Sequence, residues 1–184
     1  MSRLAKKALP SVDYLNERVE YNELTGELKW KERPRSHFKN LRVYRATNTK
    51  HAGRVITATD RLGYIKFEID YVKYTASRII WKLITGKDPV SDIDHINGIR
   101  SDNRKCNLRE CTHSENMRNQ GMRKTNSSGL KGAFLHRKTG KYTASIRDGE
   151  KLRYLGIFET KKLAHEAYCN AAIAIHGSFT RVTS

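Results

Sequence analysis

The sequence predicts an α+β chain: an N-terminal β-rich region, a polar central segment, and a C-terminal three-stranded antiparallel sheet packed on one helix. Three observations predict it. Residues 63–69, Gly-Tyr-Ile-Lys-Phe-Glu-Ile, alternate apolar and polar side chains as a half-buried strand does. Residues 131–158 hold three short apolar runs separated by Lys138-Thr139-Gly140 and Asp148-Gly149-Glu150, two turn signals. Residues 160–177 open on Thr160, close on Gly177 and carry alanines with Leu163, Tyr168 and Ile175 at helical spacing, the pattern of a capped helix.

Taken in order, the first 20 residues are mostly polar, and Val12, Tyr14, Leu15 and Val19 allow a short helix. Residues 21–31 read as a hairpin about Thr25-Gly26, with Leu24 and Leu28 flanking it and Trp30 following. From Arg33 to Thr59 there is no carboxylate, and the expectation is an open basic loop suited to a phosphate backbone, or a tether. Residues 55–75 suggest two or three strands. Residues 76–83 predict a short amphipathic helix, stopped by Gly86 and Pro89. Residues 112–119 predict a second one, with Thr112 or Ser114 as its cap. Residues 120–129, QGMRKTNSSG, read as a flexible basic linker. In the strand 142–147, Tyr142, Ala144 and Ile146 share one face, and Thr143, Ser145 and Arg147 the other. Ala164, Ala167, Ala171 and Ala174 let the last helix lie close on the first face. The opposite face is expected bare and basic, a surface able to enter the major groove of DNA.

The chain has 184 residues, a hydrophobic fraction of 38% and 36 Lys+Arg against 19 Asp+Glu, for a net charge of +17. That imbalance implies an anionic partner, because clustered cations release the counterions condensed on nucleic acid. Three cysteines make no disulfide framework. Cys106 and Cys111 with nearby His113 allow a metal knuckle, the alternative being free thiols. No apolar run approaches a membrane span, and the start MSRLAKKALP has no apolar segment of a secretion signal. An intracellular, reducing setting without membrane contact is expected. Exposed aromatic platforms for stacking single-stranded RNA are not evident.

The segment Asp94–Asn116, DHINGIRSDNRKCNLRECTHSEN, has too few large apolar residues to add much to a core. Ordering it holds polar groups in place for chemistry. Phosphodiester hydrolysis needs an activated water, charge balance on the leaving oxygen and a scaffold that aligns them. A neutral His95 can accept a proton near pH 7, and Asp94 offers oxygen to a hard cation such as Mg²⁺. On a strand the two side chains diverge, so they converge on one phosphate only if the strand ends there, which Asn97-Gly98 allows. A second metal ligand must come from elsewhere, and an amide on the next helix would serve.

The pieces RIIWKLITGKDP, DHINGIRSDNR, NLREC and ENMRN make residues 77–119 resemble the HNH endonucleases of the ββα-metal class, in particular the phage and intron homing branch. Twelve positions separate His95 from Asn107, and nine separate Asn107 from Asn116, as in that family. The resemblance implies His95 as general base and Asn107 as the residue that holds the loop and orients the base. It implies Asp94 and Asn116 as ligands of one divalent metal, Mg²⁺ with Mn²⁺ as the alternative. It implies nicking or cleavage of double-stranded DNA to 5′-phosphate and 3′-hydroxyl ends, in the cytoplasm of a phage-infected host. The third letter of the motif is Asn116 rather than His, and Ser77 stands before Arg78 where many relatives have His. Arg104 either lies near the scissile phosphate or stabilises its loop.

SSGLKG, GKYTASIRD, YLGIFET and AHEAY make residues 127–181 resemble an AP2/ERF-type DNA-binding domain. The groove-reading positions of that family hold Lys131, Phe134, His136, Ser145, Arg147 and Tyr154. Arg78, Arg104, Arg118, Arg123 and Lys124 are further candidate DNA contacts. The expected domains are 1–72, an N-terminal β-rich DNA-contacting region; 73–120, an HNH core; 121–128, a linker; and 129–184, an AP2-like domain. A monomer or weak dimer is expected, since no heptads are present. The competing reading is a DNA-binding regulator with a decayed HNH fold, against which stand Asp94, His95, Asn107 and Asn116, all present.

Overall fold

A computed structural model describes residues 8–122 and 125–181. The chain divides into two compact units, 1–111 and 112–184. The first holds α1 (Val12–Arg18), β1 (Val19–Tyr21), β2 (Leu28–Trp30), α2 (Leu41–His51), β3 (Lys66–Ile69), β4 (Val72–Thr75), α3 (Ala76–Thr85), β5 (Asp92–His95) and β6 (Leu108–Cys111). The second holds α4 (His113–Asn119), β7 (Ala133–Leu135), β8 (Tyr142–Asp148), β9 (Lys151–Phe158) and α5 (Lys161–His176). The mixed α+β class is as expected. No helix among the described residues is long and apolar enough to cross a membrane.

The strands of the first unit pair as three antiparallel hairpins, β1–β2, β3–β4 and β5–β6. One core joins them. Leu15 of α1, Val19 and Leu28 of the first hairpin, Phe67 and Ile69 of the second, Ile79 and Ile80 of α3, and Ile93 and Leu108 of the third all pack into it. Non-directional burial of apolar area therefore ties the N-terminal hairpin to the Asp94 segment. Gly86 ends α3 in the left-handed region at φ 74, its N–H on the Lys82 carbonyl at 2.8 Å, as the sequence predicts.

The open loop expected over residues 33–59 is corrected: it contains the 11-residue helix α2. No residue of α2 is buried, so no apolar stripe packs it into a core. Polar anchors hold it instead. The Asn40 side chain accepts the Val43 N–H at 2.9 Å and caps the first turn. Asn48 clamps Arg33 from both sides, accepting its N–H at 3.1 Å and donating to its carbonyl at 3.0 Å. The Tyr44 hydroxyl donates to Glu32 at 2.9 Å, and His51 meets Trp30 edge to face. The N-terminal region is thus mixed rather than β-rich.

In the second unit the strand order is β7-β8-β9, all antiparallel. Ala133, Ala144 and Ala164 form its small buried cluster, with Tyr142, Leu155, Phe158 and Ala167 packed against it. Gly132, at φ 77, is required there, because a Cβ would lie 2.0 Å from the Tyr168 ring. The stripe on α5 differs from the expected one. Ala164 and Ala172 are buried, Ala171 half-buried and Ala174 exposed. A bulge between Ala144 and Ser145 shifts the register, so Ser145 opposes Tyr154 while Ala144 opposes Gly156. The free face then carries Phe134, Thr143 and Ile157 in one row, Ser145 with Tyr154 in the next, and Arg147 with Leu152 in the third. Phe134, Leu152, Tyr154 and Ile157 are all exposed. The bare, basic face expected is therefore bare but largely apolar, with Arg147 its one charge.

Candidate active site

Strand β5 buries Ile93, Asp94 and His95 together, and it ends at His95. The Gly98 N–H bonds the His95 carbonyl at 2.8 Å, and Gly98 takes φ 72, so the chain turns away directly after the imidazole. This is the strand ending that the Asn97-Gly98 signal predicts.

Antiparallel pairing sets Asp94 opposite Arg109 and His95 opposite Leu108. The Arg109 guanidinium donates to Asp94 Oδ2 from Nε at 2.9 Å and from Nη2 at 2.8 Å. These charge-assisted bonds orient a carboxylate whose side chain is only 6% exposed. Leaving it buried without a partner would be costly.

His95 Nε2 lies 3.0 Å from Asn103 Oδ1. An amide oxygen only accepts, so Nε2 carries the proton and Nδ1 carries the lone pair. Burial pushes the imidazole below its usual value, opposed by the Asn103 bond and by the Asp94 and Asp102 carboxylates. Burial therefore favours the neutral imidazole over its cation. Its ring also meets Tyr64 at 5.9 Å between centroids.

Asn103 is itself 1% exposed. The Tyr21 hydroxyl donates to the Asn103 carbonyl at 2.9 Å. Burial, with Glu23 nearby, pushes the Tyr21 phenol up to about 12, which keeps it a donor. Gly26, in the β1–β2 turn at φ 75, sits so close that a Cβ would lie 2.5 Å from the Arg104 nitrogen and 2.8 Å from the Asn103 carbonyl carbon. Glu23 adds an ion pair to Lys105 at 3.1 Å. The N-terminal hairpin thus braces the residue that holds the imidazole.

Asn107 staples the loop between the strands. Its Oδ1 accepts the Asn97 N–H at 2.9 Å, and its Nδ2 donates to the Asp102 carbonyl at 2.7 Å. Asp102 accepts from Arg104 Nε at 2.8 Å and Nη2 at 2.6 Å, and from Asn97 Nδ2 at 2.7 Å. The Arg104 guanidinium first, then backbone and Asn97 donors, hold the Asp102 carboxyl down to about 2. Arg104 thus makes the loop-stabilising contact.

The remaining candidates divide. Arg78 donates to the carbonyls of Ser91 at 3.0 Å and Pro89 at 3.2 Å, bracing the approach to β5. Asn116 is half-buried on α4 of the second unit. That helix begins in a capping box between Thr112 and Glu115. Lys131 directs its ammonium at the carbonyls of Arg118, Gln120 and Arg181, at 3.0, 2.8 and 3.1 Å, and burial lowers its affinity for a proton. All three of its protons are engaged within the unit. Arg118 and Ser145 line a cavity of about 320 Å³ in the same unit. Phe134, Arg147 and Tyr154 are exposed on the sheet, and His136 bonds Thr139 at 2.8 Å. Arg123 and Lys124 lie outside the described residues.

Two partners were not legible in the sequence, the Arg109 pairing with Asp94 and the Tyr21 support of Asn103. The first depends on strand register and the second on a contact 82 residues away. None of the three cysteines is in a disulfide. Among the described residues no group of three or more His, Cys, Asp or Glu could hold a metal, so Cys106, Cys111 and His113 make no knuckle. A metal at Asp94 would then take one carboxylate, neutral oxygens and water. Mg²⁺ suits that donor set, since it keeps much of its water shell and binds through one or two carboxylates.

Residues 74–118 match a family model described as HNH endonuclease. The match runs from β4 through α3, β5 and β6 into α4. No curated protein and no solved structure matches the chain.

Proposed function

We propose that the chain is a metal-dependent, site-specific DNA endonuclease of the homing or nicking type, acting on double-stranded DNA. The observation that carries the reading is His95, buried at the end of its strand with Nε2 held at 3.0 Å by Asn103 Oδ1. His95 Nδ1 takes a proton from water as that water attacks the phosphorus in line with the 3′ oxygen. The P–O3′ bond breaks and the departing oxygen takes a proton from solvent, leaving a 5′-phosphate and a 3′-hydroxyl. Asn103 and Asn107 keep the imidazole and its loop in register. Asp94, and by the family spacing Asn116, would hold one divalent cation, Mg²⁺ or Mn²⁺, whose chemistry would be to offset charge on the departing oxygen.

Target choice falls to the second unit, read as an AP2-like module whose free sheet face enters the major groove. Arg147 suits guanine there, and Phe134, Tyr154 and Ile157 suit thymine methyl groups. The protein acts as a monomer or weak dimer, and one site cuts one strand per encounter.

The test is conversion of supercoiled plasmid to nicked or linear DNA with Mg²⁺, with Mn²⁺ and with chelator. Wild-type protein cuts only with metal. His95→Ala keeps its DNA affinity and loses at least a hundredfold in cutting rate, the usual contribution of a general base. Normal cutting by His95→Ala would remove the base from the mechanism.

A further inference from the structure

Helix α2 has two unlike faces. Tyr44, Thr47, Asn48 and His51 recur at helical spacing, are half-buried and make the anchoring contacts. Arg42, Arg45, Ala46, Thr49 and Lys50 share the other face and are exposed. The side chains of Arg42, Arg45 and Lys50 make no hydrogen bond or ion pair with any described residue. Around them, residues 33–59 hold seven Lys/Arg and no carboxylate.

Helix stability does not account for this face. A cation in the last turn, such as Lys50, favours the helix dipole, but Arg42 in the first turn opposes it. Arg42 and Arg45, three apart, also repel one another. No acid lies on α2 to relieve either cost. A bound polyanion relieves both. From Arg42 to Lys50 the face is about 12 Å long, and Ala46 and Thr49 between the cations are short enough for close approach. That length matches the width of the major groove between its phosphate walls, roughly 12 Å.

We infer that α2 is a second DNA-docking element, set on the nuclease unit itself, whose outer face lies against a duplex with Arg42, Arg45 and Lys50 on backbone phosphates. The inference rests on the DNA-cleaving reading of the chain. It places a grip on DNA in the unit that carries Asp94 and His95, independent of the C-terminal sheet. The anchoring face is untouched by it, so the outer side chains can be changed without loosening the helix.

The experiment measures affinity of the full chain for a mixed-sequence 30-base-pair DNA duplex in chelator, across about 50 to 200 mM salt. Each lost phosphate contact lowers the slope of log affinity against log salt by about 0.9. Arg42→Gln/Arg45→Gln/Lys50→Gln is expected to lower the slope by between about 2 and 3, and to weaken binding at least tenfold at the lowest salt. Ala46→Glu, which keeps a good helix former and sets a carboxylate at the centre of the face, is expected to weaken binding at least threefold. Lys87→Gln, an exposed cation following α3, serves as the per-charge control and should leave the slope unchanged. An unchanged slope in the triple variant overturns the inference. So does an equal loss per charge in Lys87→Gln, which means bulk charge, or a larger loss on an RNA duplex of the same sequence. Plasmid cutting with Mg²⁺ is scored separately. If wild-type protein cuts while the triple variant keeps its slope, only the α2 inference fails. If wild-type protein neither binds nor cuts, the DNA-cleaving reading fails with it.

Discussion

Asn103 holds His95 by one oxygen at 3.0 Å, and Asn103 is held in turn by Tyr21 and by the close approach of Gly26. Imidazole tautomer and ring angle thus depend on a turn some 80 residues upstream. Gly26→Ala adds a methyl against the Asn103–Arg104 backbone at a positive φ. It is expected to destabilise the protein by about 1–3 kcal/mol and to slow cutting, because relieving the clash moves the Asn103 carbonyl. Thermal unfolding and plasmid cutting check it, and an unchanged cutting rate would show that the brace is not needed. Asp102 supplies a pH dependence. Its carboxyl is held down to about 2 in the folded chain, against about 3.9 when unfolded. A depressed carboxyl stabilises the fold above its unfolded value, and that contribution is lost as pH falls toward the folded one. Wild type is therefore expected to exceed Asp102→Asn in stability by a constant margin above about pH 4. The margin shrinks between about pH 4 and 2, as read by denaturant melts at each pH. At this scale the sequence was most legible at Asp94 and His95, whose chemistry is intrinsic to the side chains. Arg109 and Tyr21 could not be read, because the first becomes a partner through the register of the β5–β6 pair and the second through a contact 82 residues along the chain.

Elements announced by caps and turns stand where the sequence places them. Thr112 caps α4 and Thr160 caps α5, each accepting a backbone N–H at its third helical position. Thr112→Ala removes the oxygen that accepts the Glu115 N–H and donates to its carboxylate, and is expected to cost about 1 kcal/mol. Denaturant unfolding measures it, and no loss would mean that Glu115 alone satisfies the helix end. Helix α2 is the element missed. Apolar periodicity is the local signal for a surface helix; in α2 the apolar side chains stop at Leu41, Val43, Tyr44 and Ala46, and Asn48 and Tyr44 hold the helix by polar contacts to Arg33 and Glu32. The free face of the sheet was misjudged for a related reason. Alternation along β8 alone gives Thr143, Ser145 and Arg147. The bulge then decides which β9 residues join them, and it brings Tyr154 and Leu152.

The whole molecule is two cores of different kind. The first is built from large aliphatic side chains and unites the N-terminal hairpin with the Asp94–His95 strand. The second is built around alanines and lets α5 lie close on the sheet. Removing residues 121–184 deletes the free sheet face and the Lys131 ammonium that gathers the Arg118 carbonyl at the end of α4. The remaining chain is expected to cut DNA only with metal, more slowly and with less site preference, as end-mapping on genomic DNA would read. Retained site preference would take target reading away from the sheet.

Local signals in the sequence determined the hairpins, the capped helices, the Asp94-His95 pair at a strand end and the strong positive charge. Caps, turns and period-2 or period-3.6 patterns act over a few residues, so they can be read without knowing the fold. Tertiary structure alone decided that Arg109 orients Asp94, that Tyr21 and Gly26 support Asn103, that α2 is a helix with a free basic face, and that Leu152 and Ile157 join Phe134 and Tyr154 on the free face of the C-terminal sheet. Each of these is set by strand register or by polar contact between residues far apart in the chain, and no local pattern encodes such a pairing.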